Sequence, residues 1–395
     1  MQIKVEPTDG LYEIDKYHAQ IAAALNADVD AVIDLVLPIK IEDNFVGSSV
    51  ALCQLVFTWL KYPLNNDLIF DINDPESIDD DMLMGSEFLF PVIMACWYKP
   101  IISLKGGMNL KPYFREPLAS IREIMVKVNT MKGWKLLLTS IDHFPPRSGL
   151  IPCYENSDGF IDNEANTLRN LSPALTKLLA YSESAKENFK QYEKDFVAII
   201  HELVKNTHEW GKTDINGVAF DPSVRGVLVK FYKKRRATFL EEFIRHRGLT
   251  MYFNSPVLKE NTNTELYFLE ISVFDCGAGF FDKYESDDKG KLSEIDVIKR
   301  CLIKHMTTAK GLDKDDKGIG LDRILNVLDG KGFLKIQTSH SCLYRDLIHQ
   351  PYRSVNNEAD LELFDWHLHS NTQYTPLPKV SGATLTILYP LNPTR

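Results

Sequence analysis

The sequence predicts an α/β protein built in two parts, and three observations carry that reading. Residues 31–72 spell out a β-α-β unit. Strand-like and helix-like runs alternate again over residues 163–389. Between them, residues 144–162 (FPPRSGLIPCYENSDGFID) have the proline, glycine and polar content of a boundary. The expected division is an N-terminal α/β domain at 1–150, a linker at 151–162 and a C-terminal domain at 163–395.

In order, residues 31–41 (AVIDLVLPIKI) are apolar and β-branched and read as a buried strand. Gly47-Ser48-Ser49 opens a helix over Val50 to Tyr62, which Pro63 ends before a strand at Leu68 to Ile72. The acidic run Asp71 to Asp81 lacks the glycine and glutamate of a calcium loop and reads as a solvated linker. Helices are expected at Phe88–Tyr98 and Leu118–Met131, then a strand at Trp134–Ile141. Residues 163–210 are helical in pattern, with a break expected at Ser172-Pro173. Strands follow at Gly226–Lys233 and Leu266–Phe274, with a helical insert at Ala237–Arg247 between them. Helices at Ser293–Met306 and Asp322–Asp329 precede closing strands at Phe333–Thr338 and Ala383–Tyr389, which flank a long irregular insertion.

Composition excludes several classes. The 395 residues carry a net charge of −9, which argues against a general nucleic-acid-coating surface. Six scattered cysteines, with no C-x-x-C pair, point to reduced thiols in a cytoplasmic protein rather than to a disulfide framework or a zinc site. The N-terminus lacks the apolar core of a signal peptide, and the longest apolar run, Phe88 to Tyr98, is half of the roughly 20 residues a membrane span needs.

Chemistry concentrates in four places. On the helix FVAIIHELVKNTHEW (Phe196 to Trp210), Glu202, Asn206 and Glu209 form a stripe about 60° wide beside an apolar face. A carboxylate that takes a proton from water, one turn from an amide oxygen that ligates a hard cation, suits metal-dependent phosphate hydrolysis. The strand ending at Asp275 runs into Gly277 and Gly279, where a carboxylate accepts from an exocyclic amine and glycines admit a ligand to the backbone. Gly318-Ile319-Gly320-Leu321 opens a helix, as a phosphate cradle does. His201 and His208 lie two turns apart, about 10.5 Å, too far to share one metal, and read as surface or packing residues.

Together these pieces resemble the Bergerat-fold ATPases, the superfamily of gyrase, the large heat-shock chaperone, sensor histidine kinases and MutL. Four boxes stand in the family's order: E-x-x-x-N at Glu202 and Asn206, D-x-G-x-G at Asp275 to Gly279, G-x-G-L at Gly318 to Leu321, and Gly382-Ala383-Thr384 on the last strand. The resemblance covers residues 163–395 and implies an α/β sandwich with a mixed sheet packed on helices. It implies ATP and Mg²⁺ as ligands: Asn206 on the metal, Glu202 on the attacking water, and Asp275 on the adenine amine with Thr384 helping through water. Gly277, Gly279, Gly318, Gly320 and Leu321 would shape the pocket, and residues 281–317 would be its lid. Lys310, in Thr307-Thr308-Ala309-Lys310, is the candidate γ-phosphate contact, with Lys317 its competitor. Two departures are Ala383, where the family often has Thr, and Glu209, where many members have Asp or Lys.

The expected function is a slow ATPase acting as an ATP-gated switch on a protein partner or a second copy. The chain stops soon after Pro390, leaving no room for the working domains that gyrase and MutL place there, and residues 163–200 hold no phosphoacceptor histidine. A kinase acting on a separate protein is the first alternative. A nucleotide-dependent nucleic-acid or scaffold module is the second, carried by the basic run Lys230 to Arg236; a solvated edge strand protected by lysines is the preferred explanation of that run.

Overall fold

The computed structural model describes residues 1–28, 30–42, 46–62, 65–180, 182–284, 289–304 and 320–391. It is a mixed α/β protein. Strand β1 (Gln2–Lys4) and helix α1 (Leu11–Ala27) lead into β2 (Ile33–Leu37), α2 (Ser48–Leu60) and β3 (Asn65–Phe70). β2 and β3 are parallel, so the β-α-β unit is present. Helices α3 (Asp80–Met84) and α4 (Leu89–Ala95) precede β4 (Ile101–Ser103), which completes a parallel sheet in the order β1-β2-β3-β4. Aspartates of the acidic run act as caps: Asp79 accepts from the N–H of Met82 at the start of α3.

Helix α5 (Lys111–Val126) is followed by β5 (Lys135–Ile141), α6 (Pro146–Gly149) and the short hairpin β6 (Glu155–Asn156) and β7 (Gly159–Phe160). Next come α7 (Glu164–Leu178) and α8 (Glu183–Trp210). The break between these helices falls at Ser182, which caps α8 by accepting from Ala185 N–H, and Pro173 is accommodated inside α7. The chain then forms β8 (Val224–Arg235), α9 (Arg236–Glu242), α10 (Arg247–Asn254), β9 (Glu265–Asp275), α11 (Gly279–Lys283), α12 (Glu294–Cys301) and α13 (Gly320–Val327). It closes with β10 (Phe333–Ser339), β11 (Ser341–Asp346), β12 (Phe364–Asp365) and β13 (Val380–Pro390).

The second sheet runs β12-β11-β10-β13-β9-β8-β5. Each of its ladders is antiparallel, which corrects the expected mixed sheet. β5, inside the expected 1–150 segment, is an edge strand of this sheet, so the first part of the chain contributes to the second sheet. β8 pairs with β9 from Arg225 to Arg235 but with β5 only from Val224 to Lys230, so Lys233, Lys234 and Arg235 of the basic run have a strand partner on one side, as an edge does. Three cations of the run also have acidic partners: Lys233 with Glu265, Lys234 with Glu242 and Arg236 with Glu260. Among the described residues no helix is long and apolar enough to cross a membrane.

Register divides the large sheet into two unlike faces. Leu138, Val227, Val273, Leu385, Ile336 and Leu343 are cross-strand neighbours on the apolar face, which α7 and α8 cover. The opposite face carries Lys135, Lys230, Glu270, Ser272, Thr384, Thr386, Lys335 and Gln337, all buried. Helix α2 packs on that face against β13 and β9, buried from Ser48 to Trp59. On its other side Trp59 Nε1 donates to the Ile33 carbonyl of the parallel sheet at 2.8 Å. The hydrophobic core therefore continues from one sheet to the other through α2.

Where α2, the chain before α4, β5 and β8 meet, Glu87 accepts from Lys135 Nζ at 2.8 Å, Lys230 Nζ at 2.6 Å and Ser49 Oγ at 2.8 Å. Burial opposes a charge on Glu87, but the two ammonium groups more than offset it and hold the carboxyl well below the usual range. Glu87→Gln would remove the carboxylate charge that two buried ammonium groups share. Its expected cost is about 3–5 kcal/mol, measured as a lower urea midpoint, and Glu87→Met combined with Lys135→Met and Lys230→Met should recover most of it.

Candidate functional site

Beneath the apolar face of the large sheet, α8, the end of β9, β13 and the first turn of α13 line a cleft that is partly open to solvent. Glu202 and Asn206 enter it from α8, one turn apart, because the helix turns its Phe196, Ile199, Ile200 and Leu203 side onto the sheet. Asp275 enters at the C-terminal end of β9, Gly279 at the start of α11, and Gly320 and Leu321 at the start of α13. Thus six residues singled out in the sequence, separated by up to 119 positions, line one cavity.

Asp275 is 8% exposed. Its Oδ1 accepts from Gly277 N–H at 2.8 Å, so Gly277 forms the turn that orients the carboxylate and does not itself line the cleft. Burial pushes the Asp275 carboxyl up to about 6, against the backbone N–H groups of Gly277 and Ala383 and the charges of Arg225 and Lys61, which pull it down. Gly382, at φ +67°, passes so close behind that a Cβ would lie 1.9 Å from the Asp275 carbonyl oxygen.

The first turn of α13 meets α8 directly. A Cβ at Gly320 would lie 2.5 Å from Glu202 Oε2 and 3.7 Å from Asn206 Nδ2, so a side chain there would displace the end of Glu202 from its present position. Asn206 Nδ2 is buried and has no hydrogen-bond partner among the described residues. A buried amide atom left unpaired beside a cleft marks a place shaped for a further group, and the oxygen and nitrogen of such an amide exchange by a simple flip.

Thr384 is not part of this cavity. Ala383 and Leu385 line the cleft, so strand alternation turns Thr384 to the opposite face, where its Oγ1 donates to Gln54 Oε1 of α2 at 3.3 Å. Lys310, its competitor Lys317, and Gly318 lie outside the described residues. The described parts of the expected lid include α12 and most of α11.

Sequence reasoning missed several contributors. Lys283 lines the cleft and donates to the Thr213 and Asp214 carbonyls at 2.7 and 2.6 Å, tying α11 to the loop after α8. Gly211, the C-cap of α8, packs on Asp275: a Cβ there would lie 2.9 Å from Asp275 Cβ. A glycine after a helix is expected for capping alone, so nothing in the sequence marked this one. The two histidines of α8 are packing residues, as expected. His201 is buried between Thr167 and Asp162, at 2.9 and 3.1 Å, and His208 Nδ1 is 2.7 Å from Glu155 Oε2. Among the described residues no cluster of three His, Cys, Asp or Glu side chains could hold a metal by itself.

No family model matches this chain, and no curated protein or solved structure matches it.

Gly382→Ala should destabilise the protein by about 3 kcal/mol or more, because the backbone conformation and the contact with Asp275 both oppose a side chain. Gly290→Ala, where nothing lies within 4 Å and φ is ordinary, should leave the thermal midpoint unchanged.

Proposed function

We propose that the cleft binds Mg²⁺-ATP and hydrolyses it slowly, and that the protein is an ATP-gated switch of the Bergerat type. The observation that carries this reading is the meeting of Glu202, Asn206, Asp275 and Gly320 in one cleft, with Asn206 Nδ2 buried and unpaired among the described residues. Asp275, an acceptor at the closed end of an apolar cavity, would read an exocyclic amine on a planar base. The cleft's apolar lining, including Leu203, Val273, Phe280 and Leu385, suits the base itself.

The residues fit Mg²⁺ as a nucleotide-borne ion. Mg²⁺ keeps most of its shell as water and phosphate oxygen, so one protein oxygen suffices, and Asn206 would supply it after an amide flip. Such an ion would neutralise charge on the phosphates. Glu202, one turn away and 20% exposed, would orient or deprotonate the attacking water, and the N–H groups at the start of α13 would face phosphate oxygens.

The switch reading has its own support. Ser381 Oγ donates to the Cys276 carbonyl at 3.2 Å, next to Asp275, while Ser381 N–H donates to Thr58 Oγ1 of α2 at 2.9 Å. The base-reading loop is thus one residue away from the helix that joins the two sheets. A change in that loop on binding would be felt by the N-terminal part of the chain, which would present it to a partner or a second copy.

Calorimetry checks the ligand. Asp275→Asn should weaken ATP binding by about 1.5–3 kcal/mol through loss of a charge-assisted hydrogen bond. For wild type, the free protein holds a proton on Asp275 below about pH 6, and that proton must leave before the carboxylate can accept. Affinity should therefore be level above pH 7 and about tenfold weaker at pH 5. With γ-labelled ATP, Glu202→Gln should bind normally and release no phosphate. Label on the protein or on an added partner, instead of free phosphate, would point to a kinase.

A further inference from the structure

The Glu202 carboxylate is held from two sides by a single helical turn. Oε2 abuts Gly320, and Oε1 lies 3.6 Å from Nη1 of Arg323, three residues further along α13 and on the same side of the helix. Arg323 is itself fixed. Its Nη1 and Nη2 donate to the two oxygens of Glu164, at 2.7 and 3.2 Å, in the bidentate form that gives a guanidinium one orientation. Glu164 is the first residue of α7, whose N-cap Asn163 accepts from Asn166 N–H. The far side of the same turn is also tied, since Tyr352 OH donates to Asp322 at 3.0 Å.

Neither Arg323 nor Glu164 is among the residues that line the cleft. Among the described residues the pair reaches the cleft through Glu202. A carboxylate on a long side chain that is 20% exposed has several rotamers to choose from, and few of them present an oxygen to a water in line with a phosphate. A cation on one oxygen restricts that choice and leaves the other oxygen over Gly320, facing the cavity.

We propose that Arg323, locked by Glu164, is the positioning residue for Glu202, and that this strut makes hydrolysis depend on the seating of α13. The proposal rests on the hydrolysis reading above and deepens it. With α13 seated, Glu202 is aimed. When α13 lifts, its guanidinium and the Gly320 surface leave together, and the base loses its orientation while the adenine-reading end of the cleft, built from β9 and β13, is untouched.

Steady-state ATP hydrolysis by the full chain tests this, with Arg323→Gln, Arg323→Lys, Glu164→Gln and Glu202→Gln beside wild type. Arg323→Gln should lower kcat about tenfold or more with KM for Mg²⁺-ATP changed less than about twofold, because an ångström of misplacement acts on the reacting geometry and not on ground-state binding. Arg323→Lys, which keeps the charge and loses the fork, should recover part of kcat. Glu164→Gln, which keeps Arg323 and loosens its anchor, should fall between wild type and Arg323→Gln. The proposal is overturned by an unchanged kcat in Arg323→Gln, by a loss confined to KM, or by a lower kcat accompanied by weaker calorimetric ATP binding and a lower thermal midpoint, which marks a merely structural role. Phosphate release that Glu202→Gln abolishes and Arg323→Gln leaves intact sinks the strut alone. Wild type that releases no Glu202-dependent phosphate sinks the hydrolysis reading and the strut together.

Discussion

The constraint on which the rest of the structure depends is the burial of a polar sheet face under an apolar helix. Lys230, Glu270, Ser272, Thr384, Thr386 and Gln337 would be at ease in water, yet α2 covers them. A buried polar group without a partner costs on the order of 1–3 kcal/mol, more if charged, so α2 can sit only where partners are met. Glu270 shows how tightly this fixes the register. Its Oε1 accepts from Gly47 N–H at 3.2 Å and Ser272 Oγ at 2.6 Å, and its Oε2 from Tyr232 OH at 2.8 Å. Gln54, in the middle of α2, donates to the Gln337 and Ser381 carbonyls at 3.2 and 3.3 Å. Sliding α2 by one residue would break these bonds together.

That constraint shapes the cleft because a strand has two sides. β13 must turn Thr384 and Thr386 toward α2, so Ala383 and Leu385 necessarily face α8. β9 is bound by the same alternation: with Glu270 and Ser272 on the α2 side, Val273 and Asp275 point the other way, and Asp275 falls at the end of an otherwise apolar row. Its raised proton affinity follows from that place, since it is a carboxylate with apolar neighbours, two backbone donors and Arg225 at a distance. Arg225 is occupied elsewhere, pairing with Asp142 and Glu155 at 2.7 and 2.6 Å. Burial opposes ionisation of Glu155 too, yet the His208 hydrogen bond and the Arg225 charge bring it down to about 2. Asp275 and Glu155 thus end far apart because, of these two, only Glu155 is in contact with the guanidinium.

The sequence discloses most of this where one period or one turn suffices. The β-α-β unit, the long amphipathic α8 and strands β9 and β10 were legible from periodicity, and the six cleft residues from motif spacing. What escaped depends on contacts between distant segments. The polar face of the large sheet reads in sequence as a solvated face, and nothing local shows that β5 from the first part of the chain pairs with the Val224–Lys230 half of β8, leaving the edge reading to the rest of the basic run. β11 and β12 hide in an insertion whose strands are short. Thr384 was misplaced for a local reason: an offset of one residue in a strand changes face, and the box that suggested it had Ala383 in the position facing the cleft.

The closeness of the two polar systems bears on how a small ligand could act at a distance. Ser381 belongs to both. Its N–H is held by Thr58 of α2 and its hydroxyl donates to the Cys276 carbonyl, while the next residue, Gly382, donates its N–H to the Gly277 carbonyl at 2.9 Å. Gly382 cannot carry a side chain without striking Asp275, so the loop has little freedom to yield locally. A displacement of Asp275 must therefore pass to β13 or be resisted by it. Because β13 is in turn hydrogen-bonded through Thr384 and Ser381 to α2, resistance in the α2 layer raises the cost of moving Asp275, and whatever loosens α2 lowers it. By reciprocity, a ligand that moves Asp275 alters the hold on α2 by the same free energy. The buried polar face, costly to assemble, is thus also where α2 ties β13 to the parallel sheet.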